Sequence, residues 1–345
     1  MRISDFDYEL PEELIAQHPL AERDGARMLV VDREKGTWHD DLFAALPAHV
    51  RAGDLLVINN TRVFPARLVG RREASGGRVE LFLVRELEPT IWETLAKPAR
   101  RLQPGARISF GGGRLYAEVI EALDEGRRVV RFECAGSFED AIEELGQTPL
   151  PPYIKRGQEG LDEDRERYQT VYAKERGAIA APTAGLHFTP RVMDDILAQG
   201  AKVAEVTLHV GYGTFEPVRA EDLSQHEVAP ERCEISPETA RQVNEVRSRD
   251  GRVIAIGTTT TRALESAVDE EGLVRAGERL AQLTITPGYR FRVVDALLTN
   301  FHLPRSSLLV LVSAFAGRDL VLAAYAHAVK ARYRFYSYGD CMLII

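Results

Sequence analysis

At 345 residues, with 45% hydrophobic and 28% charged side chains, the chain can bury a sizeable core and reads as about two domains of ordinary globular composition. That composition excludes a mostly disordered, collagen-like or coiled-coil protein. The net charge of −8 excludes binding to polyanions by overall charge, so any such contact must come from a local basic segment.

In chain order, the charged start Met1 to Asp7 does not resemble a secretory signal. The longest apolar stretch, Leu308 to Ala316, is far short of the ~18–20 residues that cross a bilayer. Cys134, Cys233 and Cys341 lie far apart and read as thiols of a reducing cytosol, which predicts a cytoplasmic protein. The segment Asn59 to Leu68 sets two amides, a hydroxyl and the Arg62 guanidinium beside a β-rich region, where arginine forks onto a phosphate or carboxylate or makes a structural ion pair.

From Arg67 to Tyr116 ten basic residues face five acidic ones; from Ala117 to Glu144 the ratio is three to nine. Alternating runs predict strands at Arg78–Val84, Arg107–Phe110, Leu115–Ile120 and Arg128–Phe132, separated by Gly- and Pro-rich turns. The expectation is a small antiparallel barrel or sandwich ending near Pro149 to Tyr153, followed by a polar loop from Lys155 to Arg167.

Beyond the loop, strand and helix alternate. Thr189-Pro190 opens a helix stopped by Gly200, Val203 to Val210 is a strand, and Ser236-Pro237 caps a helix ending at Gly251. Arg252 to Ile256 is a strand running into Gly257-Thr258-Thr259-Thr260-Thr261, Asp319 to Tyr333 is a helix, and Cys341 to Ile345 is a terminal strand. Such units predict a mainly parallel sheet, open or closed into a barrel.

Ligand sites collect at the carboxyl ends of parallel strands, which makes His187, His209, His226 and His302 candidates. The Gly257–Thr261 turn, with Arg262 and Glu265 on the helix after it, suits a carboxylate or phosphate. Tyr333 to Asp340 interleaves aromatics with arginine, a mixture that stacks bases or holds a cation. No Gly-x-Gly-x-x-Gly, Walker, His-x-His or His-Glu-x-x-His sequence is present, so no metal is expected and a methyltransferase is disfavoured.

The strings Phe6 to Pro11, Asn60 to Leu68, Leu150 to Ile154, Arg167 to Tyr172, Ala181 to Phe188, Val206 to Phe215, Gly257 to Glu265, Leu298 to Pro304 and Tyr333 to Ile344 span nearly the whole chain. In these the sequence resembles the S-adenosylmethionine:tRNA ribosyltransferase-isomerases of the queuosine pathway. It departs at Ala229, where the family often carries a second histidine after His226, while Glu231 still matches.

The resemblance implies an α/β fold: a barrel-like mixed α/β catalytic domain, residues 1–65 and 150–345, carrying an inserted small antiparallel β-barrel domain, residues 66–149. It implies transfer and isomerisation of the ribosyl part of S-adenosylmethionine onto 7-aminomethyl-7-deazaguanine at a tRNA wobble position, giving epoxyqueuosine and releasing adenine and methionine. On it we expect His187 and His302 as an acid–base pair, with Asp340 and Tyr338 near the sulfonium. Thr258, Thr259 and Arg262 would surround a carboxylate or ribose, with Arg62, Thr183, His209, His226, Glu265 and Asn300 as further substrate contacts. Arg71, Arg72, Arg100 and Arg101 would bind tRNA, and the protein is expected to be a monomer. A non-catalytic tRNA-binding module and a metal-dependent hydrolase on a barrel are the alternatives.

Overall fold

The computed structural model describes residues 1–156, 162–211 and 220–345. Residues 157–161 of the polar loop and 212–215 of the string after Val206 lie outside the described residues. The chain divides into two compact units: Met1–Arg62, Pro152–Lys155 and Gln169–Ile345 form one, and Val63–Pro151 with Arg156–Tyr168 form the other.

The first strands are β1 (Arg27–Asp32), β2 (Thr37–Leu42), β3 (Leu55–Asn59) and β4 (Thr61–Val63). Six more close into an antiparallel barrel: β5 (Arg67–Arg72), β6 (Arg78–Glu88), β7 (Ile91–Lys97), β8 (Arg107–Phe110), β9 (Leu115–Ala122) and β10 (Arg127–Cys134), in the order β10-β7-β6-β5-β8-β9. Helices α1 (Phe138–Leu145) and α2 (Asp162–Arg167) follow. Then come β11 (Glu175–Ala178), α3 (Pro190–Ala198), β12 (Lys202–Leu208), β13 (Glu231–Ile235), α4 (Pro237–Arg247) and β14 (Val253–Ile256). The remainder is α5 (Thr258–Ser266), β15 (Gly277–Ala281), β16 (Ala296–Asn300), α6 (Ser307–Ala316), α7 (Arg318–Lys330) and β17 (Cys341–Ile344).

In the barrel, alternate residues such as Val79, Leu81 and Leu83, or Leu115, Ala117 and Val119, are buried, as a one-sided strand requires. Gly70 is required where β5 passes Phe110: a Cβ there would lie 2.5 Å from the ring and 2.6 Å from the Ser109 carbonyl. Sequence reading missed β5 and β7. In β7 the alternation is masked by Glu93, which is buried yet held by Arg85 at 3.0 Å and Arg127 at 2.8 Å across the neighbouring strands.

The larger unit is built on a nine-stranded sheet in the order β15-β13-β12-β3-β14-β16-β17-β1-β2. Its central strands are apolar on both faces because both are covered. Leu29, Leu55, Val57, Val253, Ala255, Leu297 and Met342 pack with α4, α5, α6 and α7; Met28, Val30, Leu56, Ile58, Ile254, Leu298 and Leu343 pack with Phe43, Leu46 and α3. Caps sit where the sequence put them: Thr189 Oγ1 accepts from Val192 N at 3.3 Å and Ser236 Oγ from Thr239 N at 3.1 Å.

The sheet is less parallel than its texture predicts. The pairs β1–β17, β12–β3, β14–β3 and β14–β16 are parallel, whereas β1–β2, β12–β13, β13–β15 and β16–β17 are antiparallel. The reason at β16–β17 is that two helices, α6 and α7, bent by 115° at Gly317, lie between those strands. They return the chain to the end at which β16 finished, and β17 must start there. Among the described residues no single helix is long and apolar enough to cross a membrane.

Candidate active site

Because β3, β12, β14 and β16 run parallel, their carboxyl ends share one edge of the sheet. The residues at or just past those ends are Asn60 and Thr61, His209, Gly257 with the start of α5 as far as Arg262, and Asn300 to His302. The antiparallel strands β13 and β17 begin at the same edge and add Glu231 and Asp340. Gly257, with φ +94°, makes the strand-to-helix turn. The first helical bond of α5 is Thr261 N to Gly257 O at 3.1 Å, so Thr258 and Thr259 lie in its opening turn.

One polar cluster here is built from three segments. His187 ends the 3₁₀ turn Thr183–His187, with its ring 5.3 Å from that of Phe43. The Asn300 amide nitrogen donates to the Tyr336 carbonyl at 3.1 Å and lies 3.3 Å from His187 Nε2, so that ring nitrogen accepts and the proton sits on Nδ1. Asn300 Oδ1 is buried and has no protein partner among the described residues.

His302 is clamped by backbone: Tyr8 Oη donates to its carbonyl at 2.5 Å, its N–H donates to Tyr325 Oη at 3.0 Å, and its Nε2 meets Thr299 Oγ1 at 2.9 Å. Tyr336 stands edge-on, 6.5 Å from the His302 ring, and burial pushes its phenol up to about 12. Tyr8, Tyr325 and Phe43 were not singled out from the sequence. Tyr8 lies in the segment Phe6 to Pro11, but nothing in its spacing connects it with residue 302.

Burial pushes His187 down to about 4, assisted by the positive charges of Arg334 and Arg23, and burial alone pushes His302 down to about 3. Both rings are therefore neutral at pH 7. The unfolded chain takes up protons near the ordinary value of 6.5 while the folded chain does not, so these histidines support the fold fully above pH 6.5 and less as pH falls. Between pH 6.5 and about 4 each is expected to remove about 1.4 kcal/mol of stability per pH unit. Urea denaturation at pH 7 and pH 5 checks this, with a smaller loss expected in His302→Gln.

Other predicted site residues are committed within the protein. Asp340 was expected at the sulfonium. It is 2% exposed, accepts from the backbone N–H groups of Arg27 at 3.0 Å and Arg334 at 2.8 Å, and pairs with the Arg27 guanidinium at 3.3 Å. Arg262 was expected on a substrate carboxylate; its Nη1 pairs with Glu231 at 2.7 Å and its other nitrogens donate to the Ala281 and Leu283 carbonyls. Glu265 accepts from the N–H groups of Arg292, Val293 and Val294 and from Tyr289 Oη.

His209 Nδ1 meets Thr61 Oγ1 at 2.9 Å, and burial lowers its pKa. His226 is half-buried, lowered by burial, and its Nε2 lacks a partner among the described residues. Tyr338 is buried, Thr183 is half-buried and Arg62 is exposed. On the barrel, Arg72 Nη1 donates to the Arg101 carbonyl at 2.8 Å, which joins the Arg71–Arg72 strand to the Arg100–Arg101 turn. Arg71, Arg100 and Arg101 are exposed, and among the described residues none of the four pairs with a carboxylate.

A profile of the queuosine biosynthesis protein family matches residues 3–344. A relative from Symbiobacterium thermophilum named S-adenosylmethionine:tRNA ribosyltransferase-isomerase is 54% identical over 345 residues, covering 100% of both chains. A second of the same name, from Natranaerobius thermophilus, is 52% identical over 345 residues, covering 100% of this chain and 99% of the relative. The crystal structure of S-adenosylmethionine tRNA ribosyltransferase from Thermotoga maritima, 36% identical, covers 99% of this chain and 100% of its own, with a TM-score of 0.56.

Proposed function

Because the chain belongs to the queuosine biosynthesis protein family, we propose that it transfers and isomerises the ribosyl moiety of S-adenosylmethionine onto a 7-aminomethyl-7-deazaguanine in tRNA. The product is epoxyqueuosine, with adenine and methionine released. The observation that carries this reading is 54% identity along the whole of both chains to an enzyme named for this activity.

S-adenosylmethionine supplies a sulfonium that acidifies the neighbouring C5′ hydrogen, and a base, adenine, that departs. His187 and His302 handle the protons: each neutral imidazole has a lone pair to accept one and an N–H to return one. The unpartnered Oδ1 of Asn300 accepts a donor from the bound nucleoside, since a buried acceptor is costly to leave unpaired. Thr258, Thr259, Thr183, His209, His226, Arg62 and Tyr338 line the nucleoside and its methionine tail. Asp340, Arg262 and Glu265 hold the loops that carry the pocket. The chemistry runs on side chains and the sulfonium, without a metal.

The inserted barrel, residues 66–149, binds tRNA through Arg71, Arg72, Arg100 and Arg101, and the enzyme works as a cytosolic monomer. A wobble base sits in a single-stranded loop and is cheap to splay into a pocket. Reversing those four charges is expected to weaken binding and to cut the slope of log affinity against log salt by up to about three. An unchanged slope removes the barrel from the interface.

The activity is tested by incubating the protein with S-adenosylmethionine and an anticodon stem-loop carrying the aminomethyl base. The RNA gains the mass of the rearranged sugar and adenine appears in equal amount. Adenine release without RNA modification, or RNA binding with neither, rejects the reading.

A further inference from the structure

Away from the carboxyl edge, β2 is an edge strand of the sheet, and its residues alternate between two faces. His39 and Asp41 share the face whose register partners are Val30 and Met28. His49 closes the 3₁₀ turn Phe43–His49, whose Phe43 and Leu46 are buried in that same layer. One donor atom each from His39, Asp41 and His49 lie within 4.8 Å of one another. Among the described residues no other group of three such donors comes so close.

We propose that His39, Asp41 and His49 form a site for a divalent transition-metal ion of the zinc class, with a fourth position open to water. Two imidazoles and one carboxylate are the donor set that zinc, cobalt and nickel select over magnesium or calcium. Donors around a tetrahedral zinc stand ~3.3 Å apart for bonds of about 2.0 Å, so donors that lie within 4.8 Å of one another have at most ~1.5 Å to close.

His49 Nε2 already meets Asp41 Oδ2 at 2.8 Å, and the two imidazole rings lie 5.9 Å apart. Asp41 Oδ1 accepts from Leu42 N at 2.8 Å, which fixes the carboxylate from behind as an outer-shell partner does. His39 is exposed and gives the ion its entry, whereas Asp41 and His49 are half-buried. The neighbouring Asp40, on the opposite face with His327 at 3.0 Å, takes no part. A bound ion ties the turn to an otherwise unpaired strand edge and stabilises the fold by mass action.

The test is calorimetric titration of the metal-stripped full chain with Zn²⁺, with Ni²⁺ as second probe. One zinc per chain with a raised Tm is expected, weakened at least tenfold by His39→Ala and by His49→Gln and unchanged by His327→Gln. His39 is exposed, so its variant keeps the fold, and far-UV circular dichroism checks that. Absence of saturable zinc binding, or equal affinity in His39→Ala, overturns the site.

Discussion

Alanine at His187 or at His302 is expected to lower the single-turnover rate of adenine release by about 10²–10⁴-fold, the range that a positioned acid or base supplies. The readout is a rapid-quench time course with S-adenosylmethionine and modified stem-loop both saturating, so that binding defects do not enter. His302 is the cleaner case, because Tyr8 and Tyr325 hold its backbone rather than its ring, and the loop stays placed when the imidazole is removed. His187→Gln complements it by keeping a polar group opposite Asn300. Since burial keeps both rings neutral well below pH 6.5, the kcat profile should show no histidine inflection near that value. Near-normal rates in both alanine variants would remove the pair from the chemistry.

The largest loss of stability is expected at the Arg262–Glu231 pair. Both side chains are buried, and Arg262 also satisfies two carbonyls while Glu231 Oε1 accepts from Gly211 N at 3.1 Å. Removing one partner strands the other charge away from water, at about 3–5 kcal/mol. Arg262→Met and Glu231→Gln should each lower the unfolding free energy from urea denaturation by that amount, and the double variant should lose less than the two singles combined. This also separates two roles for Arg262. A ligand to the substrate carboxylate raises KM with stability intact; a structural arginine lowers stability first.

Local signals in the sequence were reliable where the physics is local. Thr189-Pro190 and Ser236-Pro237 cap helices, Val253 to Ile256 forms a central strand, and the alternating runs after Arg78 build the barrel. The histidines at strand ends were legible because strand polarity alone puts them on one edge. What could not be read is the pairing of charges across the fold. Asp340 looks like an acidic site residue until Arg27, opposite it through the β1–β17 register, is seen to claim it. Arg262 and Glu265 looked available for the same reason. The direction of β17 was hidden because it depends on where α6, α7 and the segment after them return the chain to the sheet.

The place of β17 between β16 and β1 has an outcome for the order of assembly on the ribosome. Among the described residues the β1–β2 hairpin hydrogen-bonds to the rest of the sheet through the four residues of β17, which are synthesised long after it. Until those emerge, the hairpin waits with a bare edge, the condition in which nascent chains attract chaperones or one another. Completion of this sheet therefore waits for β17, is dominated by long-range contacts, and is slow by that measure.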